Sequence, residues 1–239
     1  GVRVDNLEKR MDNVKWNGLA RYEYISAKED GSTRDNSNSM IFRLEPTVQI
    51  NDNWTANLAA SQSRVVVDDY AGAFAAVEYL IQSGCKRIAF FSSPPQLEIS
   101  KNRKNGYLDA LRKYGLKVDE SLIRICDTRE EAIIITPEIL DQPDRPDGFF
   151  AINDHCAAGI LYACKLANLR VPEDVSIMGF SDGELAKACD PMLSTVEQHG
   201  YEMGKYAAKL LIDKINGVTQ GKYANKIVKT NLIIRGTTK

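Results

Sequence analysis

Apolar and polar positions follow two different periods along the chain, and the change falls near residues 60–64. Upstream, Val14, Trp16, Ala20, Tyr22 and Tyr24 alternate with mostly polar residues. Met40, Phe42, Leu44, Val48 and Ile50 repeat that alternation after a turn-rich stretch over 29–38. A period of two puts every second side chain on one face of a strand, so these segments predict a β-hairpin. A short helical piece, Leu7-Glu8-Lys9-Arg10-Met11, precedes it, and Asn51-Asp52-Asn53 reads as the next turn.

From Val65 onward short apolar runs alternate with helical stripes. The pattern predicts strands over 65–67, 87–91, 122–126, 149–152 and 175–179, and a last strand over 227–234. Helices are predicted over 71–83, 103–114, 130–140, 154–167, 184–188 and 201–215, the first two stopped by Gly84 and Gly115. Strands that take turns with helices favour an α/β domain whose mainly parallel sheet is covered by helices on both faces. Two domains follow: a hairpin-rich segment over 1–63 with no independent function expected, and an α/β domain over 64–239.

Composition changes this picture little. The 239 residues are 44% hydrophobic and 26% charged, enough apolar material for a sizeable core. A formal net charge of −1 leaves the chain as a whole without an electrostatic footprint for phosphate. Five cysteines are scattered without metal-type spacing and read as buried free thiols of a reducing compartment. His155 and His199 lack ligand partners at useful spacing, so no metal and no cofactor is expected. No run reaches membrane-helix length and no leader is legible, which predicts a cytoplasmic chain with no membrane partner.

A set of short motifs occurs in order across the α/β part. They are Val65-Val66-Val67-Asp68-Asp69, Gly84-Cys85-Lys86-Arg87-Ile88-Ala89, Arg103-Lys104-Asn105-Gly106-Tyr107, Arg145-Pro146-Asp147-Gly148 and Ala151-Ile152-Asn153-Asp154. Val171-Pro172-Glu173-Asp174-Val175-Ser176-Ile177-Met178-Gly179-Phe180 and the stretch from Pro191 to Gln198 complete the set. From Arg64 on, the chain thereby resembles the effector-binding part of LacI/GalR-type transcription regulators. The resemblance implies one lobe of a periplasmic-binding-protein-like type I fold, a sugar or sugar-like effector, homodimers, and contact with operator DNA only through a headpiece that this sequence does not contain. Residues 1–60 instead resemble the first hairpin of an outer-membrane porin. Two or three strands cannot close a barrel, so a membrane role for that segment alone is disfavoured.

Ligands of open α/β sheets sit beyond the carboxyl ends of the strands, which singles out the loops at 92–103, 127–129, 153–154 and 181–182. Arg103 offers a planar five-donor head suited to hydroxyls or carboxylates and matches the family's ligand arginine. Placed at a helix start it opposes the dipole, so a compensating partner is expected. Asn153 joins an apolar strand to a helix; its amide serves as a cap, as the family's ligand asparagine, or as both. Ser181 stands where many relatives carry an aspartate, with Asp182 one position later. Thr128 stands where several carry an aromatic that stacks on the ligand. Gln198 matches a strand-end glutamine that lines the site or holds the crossover.

One string points elsewhere. Gly179-Phe180-Ser181-Asp182-Gly183 is a literal G-x-S-x-G between a strand and a helix, the setting of a hydrolase nucleophile. Its downstream partners would have to be His199 with Asp190 or Asp213, which leaves little sheet to carry a triad. A serine hydrolase and a porin or scaffold fragment are the alternatives to the sensor. With no helix-turn-helix text and a charge near zero, the chain alone is expected to give no sequence-selective retardation of operator DNA in a gel shift at physiological salt. A selective, salt-resistant shift would overturn that expectation.

Overall fold

The computed structural model describes residues 14–18, 25–27, 35–37, 44–51, 54–57, 64–215 and 225–239. In chain order the elements are β1 (Val14–Gly18), β2 (Ile25–Ala27), β3 (Asp35–Ser37), β4 (Leu44–Asn51), β5 (Trp54–Asn57), β6 (Arg64–Val67) and α1 (Asp69–Gln82). There follow β7 (Ile88–Ser92), α2 (Glu98–Lys113), a single 3-10 turn (Glu120–Leu122), β8 (Ile123–Ile125), α3 (Arg129–Leu140), β9 (Gly148–Ala151) and α4 (Asp154–Leu166). The chain continues through β10 (Ser176–Met178), α5 (Glu184–Ala188), β11 (Thr195–Glu197), α6 (Gly200–Ile215), β12 (Asn225–Val228) and β13 (Asn231–Ile233).

The elements divide into two compact units. One includes β1, β4, β5 and most of α6. In it β4 is the central strand, antiparallel to β1, with Val14 opposite Val48, and antiparallel to β5, with Thr47 opposite Asn57. The alternating text at Val14, Trp16, Leu44, Val48 and Ile50 thus lies on strands. Ala20, Tyr22, Tyr24, Met40, Phe42, the 7–11 piece and the Asp52-Asn53 turn fall outside the described residues.

The other unit carries a four-stranded sheet in the order β10-β9-β7-β8. All its pairings are parallel, with Ile88 opposite Gly148, Phe90 opposite Ile123 and Ile177 opposite Phe149. Every residue of β7, β9 and β10 is buried, as expected of strands covered on both faces. The aromatic rings of Phe90, Phe150 and Tyr107 stack through this core, and Phe91 meets Phe149 edge to face. Tyr107 also donates its hydroxyl to the Ile88 carbonyl at 2.8 Å, pinning α2 to the sheet.

Two sequence expectations need correction. The second helix starts at Glu98, not Arg103. Its first turn follows Pro94-Pro95 and has Leu97 at the N-cap with no side-chain cap, so the usual Ser, Thr, Asp or Asn signal is missing. Arg103 therefore sits inside the helix rather than at its start. The last strand over 227–234 is two strands, β12 and β13, and β13 runs antiparallel to β11 with Val196 opposite Leu232.

Helices α1 and α2 meet at Gly106, where an added Cβ would lie 2.5 Å from the Tyr70 carbonyl oxygen and 2.8 Å from the Phe74 nitrogen. Both are backbone atoms of α1 and cannot swing aside. Gly106→Ala should gain helix propensity yet lower the unfolding free energy by about 1–3 kcal/mol, because overpacking forces the helices apart. Urea denaturation reads it; an unchanged midpoint would mean that the helix pair tolerates separation.

Candidate functional site

The carboxyl ends of β7, β8, β9 and β10 open onto loops at one end of the parallel sheet, and polar residues collect there. Ser92 ends β7 and Ser93 follows it, both buried, as is Asp127 after β8. Asn153-Asp154 follow β9, and Ser181-Asp182 follow β10.

Arg103 is the largest polar side chain in this cluster and is 0% exposed. Its Nε and one terminal nitrogen donate to Asp69 Oδ1 at 2.9 and 2.7 Å. The other terminal nitrogen donates to the Ile152 carbonyl. The guanidinium lies over the Phe180 ring, 3.4 Å from its centroid, a desolvated cation–π contact that contributes on the order of 2 kcal/mol. A partner for this cation was expected from the helix dipole. Asp69 is that partner, but burial is what requires it.

Two strand-to-helix joints are built alike. Asp68 follows β6 and caps α1, accepting from the Ala71 N–H at 3.1 Å, while Asp69 turns aside to Arg103. Asn153 follows β9 and caps α4, accepting from the Cys156 N–H at 2.8 Å. Asp154 turns aside, accepting from the Thr195 hydroxyl at 2.6 Å and the Gly183 N–H at 2.9 Å. Asn153 also donates its amide to the Asp127 carbonyl at 2.9 Å, so the cap joins the β8 and β9 loops as well. Gly179 permits the approach of Asp154, since a Cβ there would lie 2.5 Å from Oδ1.

Thr128 caps α3, accepting from the Glu131 N–H at 3.1 Å, and Glu131 reaches back to the Asp127 N–H at 3.2 Å. This reciprocal arrangement makes Thr128 part of the loop's frame. Ser181 and Asp182 both have positive φ, 135° and 57°, a conformation that side chains other than glycine's rarely adopt. The Ser181 N–H is held by the Val196 carbonyl at 2.8 Å. Asp182 is committed to Arg235 at 2.7 Å, and Arg235 also donates to the Leu193 carbonyl. Gln198 is half-buried directly after β11. Arg103, Asn153 and Asp69 thus form one connected cluster with Ile152 and Asp127; Asp182 belongs to a second one with Arg235.

Sequence reasoning quoted Asp69 and Asp154 within motifs without giving either a role, and passed over Arg235. The signal for the first two was present, because Asp68-Asp69 and Asn153-Asp154 both place two Asx residues between an apolar strand and a helix. Arg235 pairs with Asp182 across 53 positions of chain, which no local pattern encodes. The G-x-S-x-G serine pairs through its backbone with Glu197, and His199 is engaged by Asn231 at 3.0 Å and lies 3.4 Å from Glu197; among the described residues no hydrogen bond joins His199 to Ser181. Among the described residues no group of three or more His, Cys, Asp or Glu is placed to hold a metal ion, and no helix is long and apolar enough to cross a membrane.

Burial pushes the Asp154 carboxyl above its usual range, partly offset by the Thr195 and Gly183 hydrogen bonds. A raised folded-state pKa means that this group's stabilisation is complete below its unfolded value of about 4 and is lost as pH rises through the folded one. Against Asp154→Asn, the wild type should lose ground steadily from about pH 4 upward when unfolding free energies are compared. A gap that does not vary with pH would contradict a buried charge at this position.

Residues 77–238 match the model of the periplasmic binding protein-like domain family. Over 176 residues the chain is 38% identical to the HTH-type transcriptional repressor CytR of Escherichia coli K12, covering 73% of this chain and 51% of that protein. The solved complex of the transcriptional regulator CelR with cellobiose superposes with a TM-score of 0.69 at 32% identity, covering 74% of this chain and 54% of CelR. A LacI family transcriptional regulator from Enterococcus faecium with bound ribose gives a TM-score of 0.69 at 28% identity, covering 76% and 67%. The chain spans about half the length of the curated relatives it matches.

Proposed function

The chain belongs to the periplasmic binding protein-like domain family of LacI-type transcription regulators, and we propose that it is the effector-sensing part of such a regulator, binding a small sugar-like molecule without catalysis. The observation that carries this reading is the convergence of Arg103, Asn153, Thr128 and Ser181 on one end of a parallel sheet, where open α/β folds take their ligands. Cellobiose and ribose, named with the two structural neighbours, are polyols that such donors and acceptors suit.

Each site residue takes a definite part. Arg103 forms the floor, and effector oxygens that reach it as the loops open take it up with its Asp69 pair kept. Asn153 presents the edge of its amide from the helix cap. The Ser181 hydroxyl, which bonds nothing among the described residues, faces the effector in place of a carboxylate. Asp182 acts through Arg235 by fixing the strained Ser181 turn, and Gln198 lines the far edge. With Thr128 in place of a stacking ring and Ser181 in place of an acid, ring stacking and a carboxylate acceptor are both missing from the contact. Binding is accordingly weak, about millimolar, which corresponds to roughly −4 kcal/mol.

As part of a regulator the chain works in the cytoplasm as a homodimer, and operator DNA is read by a helix-turn-helix segment, not by residues 67–200. The relatives named above are regulators, which favours the sensor over a serine hydrolase: a fluorophosphonate should leave Ser181 unlabelled, and stoichiometric labelling would restore the enzyme.

Ligand-detected NMR tests the sensor directly, using ribose, cellobiose, further monosaccharides, nucleosides and sugar acids against wild type, Arg103→Lys and Ser181→Ala. At least one sugar should give saturation transfer with a dissociation constant near about 1 mM, and both variants should weaken it several-fold. No response to any sugar, or binding by both variants equal to that of wild type, would overturn the assignment.

A further inference from the structure

Directly beneath the Asp127–Asn153 junction two cysteines face each other. Cys126 directly follows β8, its N–H held by the Ser92 carbonyl at 2.7 Å, and Cys156 lies in the first turn of α4. Their sulfurs are 3.6 Å apart, and Cys156 Sγ also donates to the Cys126 carbonyl at 3.4 Å. Both residues are 0% exposed. The other three cysteines, Cys85, Cys164 and Cys189, show no such sulfur–sulfur contact. From this juxtaposition we infer that Cys126 and Cys156 are a dithiol site for two-electron thiol oxidants, closing to an intrachain disulfide that locks the β8 and β9 loops together.

Geometry and gating both support the step. A disulfide needs its sulfurs at about 2.05 Å, so the pair must close by roughly 1.5 Å, within reach of side-chain rotation and small loop shifts. With a small disulfide as oxidant, one thiolate attacks a sulfur of the reagent and releases one thiol. The second thiolate then attacks the mixed disulfide and releases the other. The protein loses two hydrogens, and both leave on the two thiols formed.

Burial raises the Cys156 thiol well above its usual range, so reaction waits for the loops to open. Asn153 grips both sides, donating to the Asp127 carbonyl and accepting from the Cys156 N–H, and Thr128 caps the helix that follows. Oxidation therefore reports on the loops that frame the candidate effector site, and the bond, once formed, removes their freedom to open. Only this regulatory consequence rests on the sensor reading; formation of the bond does not.

The test uses the full reduced chain treated with 2-hydroxyethyl disulfide under native conditions, then acid-quenched, unfolded, alkylated and mapped by tryptic mass spectrometry. The expected product links the 125–129 peptide to the 130–165 peptide, with fragmentation placing the bond between Cys126 and Cys156 and the alkyl group on Cys164, leaves Cys85 and Cys189 alkylated, and disappears in Cys126→Ser. Asn153→Ala and Thr128→Ala should each form it several-fold faster. Alkylation of Cys126 and Cys156 at all times, stable mixed adducts in place of the link, or equal rates in wild type and both loop variants would overturn the inference. Failure of the reduced protein to bind any sugar would instead overturn the sensor reading and leave the cross-link standing.

Discussion

The loop end of the sheet depends on one buried ion pair, Arg103 with Asp69. A guanidinium with no exposure has lost its hydration, and only short, well-directed contacts make that tolerable. Asp69 supplies two such contacts, the Ile152 carbonyl a third, and the Phe180 ring covers one face of the cation. Each partner comes from a different place in the fold: the start of α1, the end of β9 and the loop after β10. Satisfying one cation thus fixes three pieces of chain relative to α2. Gly106, one turn along α2, lets the two helices approach closely enough for the pair to form.

The neighbouring polar network follows the same logic with the charge reversed. Asp154 is a buried carboxylate fed by a hydroxyl and a backbone N–H, and Gly179 leaves room for it. It anchors the turn at Gly183, while Arg235 anchors Asp182 within that turn. Between these two holds Ser181 keeps an unfavourable backbone conformation. Many groups here are spent on holding the loops in place.

Much of this architecture was legible in the sequence because local pattern and tertiary role agree there. Fully apolar runs such as 88–91 and 149–152 became strands buried on both faces, and Gly84 and Gly115 ended their helices in positive φ. Legibility failed where a local signal was missing or the partner was remote. The α2 start lacks a capping side chain and follows two prolines, so it was placed five residues late and Arg103 was put at a helix end. Arg103 and Asn153 were identified as polar residues at strand ends, but their partners Asp69 and Asp127 are contacts of the folded chain. Asp182 looked available to a ligand because nothing nearby announced Arg235.

The central claim is that Arg103 and Asp69 act as one unit that holds the site. A double-mutant cycle on unfolding free energy, with Asp69→Asn, Arg103→Met and the double variant, measures their coupling with the rest of the protein as background. The account predicts that each single change costs about 3 kcal/mol, by stranding a buried charge or leaving its partner without a counter-ion, and that the double variant costs far less than the sum. Single costs that simply add would contradict it.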